Sequence, residues 1–252
     1  MATISLRPSA AEATVSRFYV AMAMMFFAIA FAGFVPTFWW KLANGTFAAP
    51  ALYRIHGALL TCWFIFYLMQ TLLAARGRLH AHRMWGMAGI ALFSAMCCSI
   101  LAVMVTAMNM QSLNGHGDSS RQFAAVTFCG LLMMIGLFAL AIGRVRRPDV
   151  HKRLMLVLMS GMMTPAIARV FLMLMGAGGD GPPPLEMSIA PALIANLPVL
   201  AAMVHDRRSI GYIHPTYVHA GAVVLAETIL VIPLARTSGW MGFAQWLQGV
   251  AG

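Results

Sequence analysis

Apolar residues run along this chain in long unbroken stretches, and the polar residues fall between the stretches instead of along one face of each. Seven such runs cover about 17–37, 55–75, 84–108, 122–143, 153–176, 187–204 and 216–236. A helix crosses the hydrocarbon core of a bilayer with about 20 apolar residues. The pattern therefore predicts an all-α, polytopic membrane protein, a bundle of seven transmembrane helices joined by short loops. It reads as one transmembrane domain over 1–252. A last run, from Met241 to Val250, with Trp240 and Trp246 at headgroup level, predicts a C-terminal interfacial helix. Trp39 and Trp40 suit the same aromatic belt. The stretch Gly176–Pro184 cannot continue a helix and marks the fifth connection.

Composition agrees with the pattern and removes alternatives. The chain has 252 residues, 61% apolar and 10% charged, with a mean hydropathy of +0.79. A soluble domain carries about 25% charged residues. A water-soluble enzyme, a disordered chain and a nucleic-acid binder are excluded, although the net charge is +10. In a membrane protein that charge belongs to basic loops. Twelve of the 17 Lys and Arg residues fall in the N-terminal tail and the second, fourth and sixth connections. Lys41, Arg54, Arg121 and Arg236 fall on the other side, and Arg169 lies inside the fifth run. The positive-inside rule then predicts a multi-pass protein of the bacterial inner membrane. It places the N-terminus in the cytoplasm and the C-terminus in the periplasm or outside. The basic face would meet anionic lipid headgroups or a membrane-protein complex.

Polar groups within apolar runs are expensive and therefore informative. They are His56, Gln70, Arg169, Asn196, His219 and Glu227. Arg169 and Glu227 are expected to pair, as a structural bridge or around a charged ligand. Six of the eight histidines (His80, His82, His151, His205, His214 and His219) gather at the basic face, most of them at helix starts. Neutral imidazoles there could ligate haem iron or another metal, with His82, His151 and His219 preferred. His56, at the start of the second run, is a further cofactor candidate. Arg83 and Arg153 are available for haem propionates or another anion. The competing reading is that interfacial His, Lys and Arg only anchor helix ends to headgroups.

Other chemistries lack their residues. The only lysines, Lys41 and Lys152, lie outside the seventh run, which excludes a retinal Schiff base there. The histidines lack the HxxxH and HxxHH spacings of membrane di-iron enzymes, and HExxH, P-loop and GxSxG motifs are absent. Cys62, Cys97, Cys98 and Cys129 sit in apolar runs without CxxC spacing, as small buried hydrophobes. The methionines are read as packing, and Gly86, Gly89, Gly130, Gly136 and Gly161 as sites of close helix approach.

Two segments carry a resemblance. His56-Gly57 opens the second run and Gln70 lies near its end; His82-Arg83 and Gly86 then enter the third. This resembles a group of uncharacterised bacterial multi-helix membrane proteins with a His-Gly helix start and a Leu-His-Arg-x-x-Gly helix entry. His151-Lys152-Arg153-Leu154-Met155 is similar to helix starts of small haem-copper-oxidase assembly proteins. Histidines near opposite faces are also similar to those of di-haem b-type cytochromes, although here the outer face has only His56 and the loop residue His116. The resemblance implies a multi-helix membrane topology. The sequence leaves two functional expectations: a redox or electron-transfer protein binding haem b or a quinone at the cytoplasmic histidines, or a non-redox transporter, sensor or assembly factor.

Overall fold

Every regular element among the described residues is helical, and seven helical stretches are long and apolar enough to cross a membrane. The computed structural model describes residues 10–176 and 181–251. Positions 177–180 of the glycine-rich fifth connection lie outside them.

The first span is α1 (Ala10–Phe34), which passes through a π-helical turn (Val35–Trp39) into the short α2 (Trp40–Ala43). Pro36 removes one ladder donor there, and Trp40 N–H reaches back to Val35 O. The next spans are α3 (Ala51–Ala75), α4 (Leu79–Leu113) and α5 (Gly117–Gly143). The fifth span is broken into α6 (Pro148–Gly161) and α7 (Thr164–Leu174). The sixth comprises a 3₁₀ turn (Leu185–Ser188), α8 (Ile189–Ala195) and α9 (Leu197–Ser209). The chain ends with α10 (Pro215–Ala235) and α11 (Ser238–Ala251).

Among the described residues, glycine in the left-handed region follows α2, α3, α4, α7 and α9. Gly77 follows α3 at φ +69° and Gly115 follows α4 at φ +84°, a region open to glycine at little cost. Arg78 N–H donates to Leu73 O and Gly77 N–H to Ala74 O, which satisfies the last carbonyls of α3 and reverses the chain.

Neighbours in sequence are neighbours in space: α3 packs on α4, α4 on α5, and α5 on α6. The central helix is α6. Residues Leu156–Ser160 are buried on every side, against α1, α5, α8, α9 and α10. Trp63, Phe93 and Phe138 form an aromatic layer beside it, with Phe93 and Phe138 stacked at 3.9 Å.

Close helix approach involves one of the suggested glycines and others besides. A Cβ on Gly33 would lie 2.6 Å from Ala166 O, so α1 crosses α7 backbone to backbone. A Cβ on Gly89 would meet the Phe66 ring at 2.5 Å, whereas one on Gly86, Gly130, Gly136 or Gly161 meets nothing within 4 Å. Only Gly89 of the expected five serves close approach.

The breaks in spans five and six face one another. Pro165 and Pro198 each lack the N–H that would continue the ladder. Across this gap the fully buried Ser160 hydroxyl donates to Ala195 O. The C-terminal run forms a helix that packs on α4 and α5. Trp240 is buried and donates through Nε1 to Arg121 O at 2.7 Å; Trp246 alone is exposed. Gln248 accepts from Arg121 (2.9 Å) and donates to Asn109 (3.1 Å), tying α11 to α4 and α5.

Candidate functional site

The basic ends of α3 to α6 bring two of the predicted histidines together. His82 lies in the first turn of α4 and His151 in the first turn of α6, their ring centroids 6.3 Å apart and their planes at 85°. Each Nδ1 is held by a carbonyl at the end of the preceding helix. His151 Nδ1–H donates to Ala141 O at 2.8 Å, and His82 Nδ1 lies 3.2 Å from Gln70 O. A carbonyl accepts only, so His151 carries its proton on Nδ1 and leaves Nε2 with a lone pair.

Gln70 is buried beside the pair. The orientation of its amide that suits all neighbours donates to His82 O (3.2 Å) and His82 Nδ1 (2.7 Å) and accepts from Gly86 N–H (3.2 Å). Turned over, the same amide accepts a proton from Nδ1 instead. That arrangement sets the amide oxygen against His82 O and the amide N–H groups against Gly86 N–H, so the orientation that satisfies every neighbour leaves His82 accepting at Nδ1 with its proton on Nε2. Gln70, His82 and Gly86 are the positions that carry the resemblance at this helix entry, and one hydrogen-bonded knot joins them.

A second polar cluster lies on the far side of α6. Arg153, 4% exposed, donates through Nε and Nη2 to both carboxylate oxygens of Asp206, each at 2.8 Å. Its Nη1 donates to Asp149 O at 2.7 Å. The guanidinium lies over the Tyr217 ring, and the Tyr217 and Tyr19 hydroxyls are 2.9 Å apart. One buried ion pair thus joins α6 to α9 and, through the tyrosines, to α10 and α1. Sequence reading missed Asp206, Tyr19 and Tyr217. The available signal was an acidic residue between His205 and Arg207 at the end of an apolar run. The Arg153 guanidinium is engaged here, a correction to its expected place beside a propionate. Arg83 is exposed at the end of α4.

The other candidates separate. His219 is exposed on α10 and lines a groove between α5, α6 and α10 that His82 and His151 do not touch. Among the described residues no three His, Cys, Asp or Glu side chains converge as a metal-holding group, and of the three preferred ligand candidates His82 and His151 lie together. His56 lies at the other end of α3, 14 residues before Gln70, or about 21 Å at 1.5 Å per residue. Its Nδ1–H donates to Ser99 Oγ at 3.0 Å, whose own proton goes to Met96 O. His214 is a helix cap: its Nδ1 accepts from Thr216 N–H at 3.2 Å and its Nε2 faces Asp149 at 3.3 Å.

The expected Arg169–Glu227 pair does not form. Arg169 donates to Pro165 O at 3.0 Å and stacks on the Phe34 ring, 4.2 Å from its centroid. No ion pair joins it to Glu227. The reason is packing: α7 lies on α1 and α8, whereas Glu227 is carried by α10, which lies on α5 and α6.

Comparison with known protein families, with curated proteins and with solved structures finds no match for this chain.

Proposed function

We propose that this integral membrane protein is a redox protein that holds haem b at the basic end of the bundle through His82 and His151. The observation that carries the reading is the imidazole pair. Two imidazoles bound to one iron from opposite sides, with bonds of about 2 Å, have ring centroids about 6 Å apart. The observed separation is 6.3 Å. His151 is oriented by donating Nδ1–H to a backbone carbonyl, the support that ligating histidines ordinarily have. Ligation through Nε2 of His82 would require Gln70 to turn over, so that its amide oxygen takes the proton of Nδ1. Exposed Arg83 could hold a propionate, while Arg153 is kept by Asp206. Haem would supply one-electron exchange, and the aromatic layer of Trp63, Phe93 and Phe138 would shield it from the far side of the membrane. Two oriented imidazoles favour haem over a quinone at this place, because a quinone carbonyl needs a single donor.

An absorption spectrum tests the reading. Protein purified from haem-replete cells is expected to show a Soret band and sharp reduced α and β bands. His82→Ala and His151→Ala should each abolish the spectrum with membrane insertion unchanged. A colourless, iron-free preparation would overturn the proposal, as would a His82→Ala/His151→Ala protein with its full haem complement.

One observation favours a second reading, that of a transporter. Spans five and six are interrupted opposite one another and joined by the Ser160–Ala195 contact. Transporters place substrate between such discontinuous helices near the middle of the bilayer. Substrate uptake into vesicles by a haem-free preparation would select this reading over the first.

A further inference from the structure

A groove separate from the histidine pair runs between α5, α6 and α10, with a volume of about 780 Å³. Its walls are apolar, with Leu137, Leu154 and Val223 among the lining residues, and its mouth at the basic end holds Arg144, Arg147, His214 and His219. Along α5 it extends from Arg144 to Cys129. Arg144 lies 15 residues after Cys129, about 22 Å of helix and more than the depth of one leaflet of a ~30 Å core.

Charge decides what fits. Both arginines are exposed at the mouth. Asp149 is the acidic group at the mouth, and it is engaged by Arg147 at 3.8 Å and His214 at 3.3 Å. Among the described residues no carboxylate is within ion-pair distance of Arg144. A choline or ethanolamine group would find no free anion here, whereas a phosphate would find a cation directly above an apolar slot. We propose that this groove is a binding site for one anionic phospholipid, its acyl chain along Leu137 and Leu154 and its phosphate at Arg144 and Arg147. The site is independent of the haem reading, since the two share no side chain.

The test uses the full chain in nanodiscs of equal parts phosphatidylcholine and phosphatidylglycerol, read by native mass spectrometry of retained lipid. A basic residue beside an anionic surface contributes about fivefold in affinity, so Arg144→Ala/Arg147→Ala is expected to lose about thirtyfold. Gly136 lies on the groove wall with nothing within 4 Å of its Cβ position. Gly136→Phe should therefore fill the slot without moving backbone and displace the lipid while leaving both arginines in place. Arg146→Ala, in the same connection but not lining the groove, should retain phosphatidylglycerol as the parent does. Equal loss in the Arg146 variant would mean diffuse charge attraction and overturn the site. So would undiminished retention in the double variant, or preferential retention of phosphatidylcholine or of added ubiquinone by the parent.

Discussion

Arg153 and Asp206 stand in the protein interior at 4% and 2% exposure, so the bond between them replaces the water that both have lost. Removing one partner strands the other. Arg153→Leu or Asp206→Leu alone is expected to destabilise the protein by about 3–5 kcal/mol, and the double Leu variant by much less. Thermal unfolding in detergent checks this, and equal shifts for all three variants would refute it. At this scale the sequence was only partly legible. It named Arg153 but gave it to a propionate, because an arginine at a helix start looks alike whether it faces water or a carboxylate on another helix. Asp206 was unreadable for a related reason. Apolar residues surround α9 without a clear inner face, so the sequence does not say which residue points inward. His82 and His151 were legible as helix-start imidazoles, while their pairing apart from His219 depends on which helices touch.

At the scale of elements, the seven spans followed from the lengths of the apolar runs, since the bilayer imposes a single requirement on each. Interruptions inside the spans did not follow. A proline within an apolar run reads as tolerable in a membrane helix, and only packing decides whether it becomes a break. Ser160 joins the two breaks, and losing a buried hydroxyl donor typically leaves an acceptor unsatisfied at 1–3 kcal/mol. Ser160→Ala should lower stability by about that amount and increase amide exchange around 160–166 and 195–199. Unchanged exchange in both segments would show that the breaks are held by other contacts. The α1–α7 crossing gives a sharper case. With Ala166 O 2.6 Å from a Cβ on Gly33, Gly33→Leu must separate the two backbones and is expected to cost more than Gly130→Leu, where the space is open. Comparable melting temperatures for the two variants would be the contrary result.

For the whole molecule, seven spans that all cross the membrane would put the two termini on opposite sides of it. We propose that the side carrying the N-terminal tail and the even-numbered connections is cytoplasmic, as the positive-inside rule predicts from its excess of basic residues. A reporter fused after Gly252 should read as periplasmic, and one placed in the Arg144–Arg147 connection as cytoplasmic. The reverse at either site would overturn this orientation. Under it, the histidine pair, the buried ion pair and the mouth of the lipid groove all belong to the inner leaflet.

Helix α4 carries a consequence of its own. Its 35 residues measure about 52 Å, against a hydrocarbon core of ~30 Å. A free helix of that length would lean until its apolar part matched the bilayer, but α4 is not free. Gln248 clamps its far tip, at Asn109, to Arg121 of α5, so the two helices must lean together or not at all. A rod fixed in this way acts as a gauge. When the thickness is wrong, either the pair tilts as one or the surrounding lipid adjusts, at a modest penalty for each ångström of mismatch. Melting temperature across bilayers of graded acyl length should then pass through one maximum, and Gln248→Ala, by releasing the clamp, should flatten it.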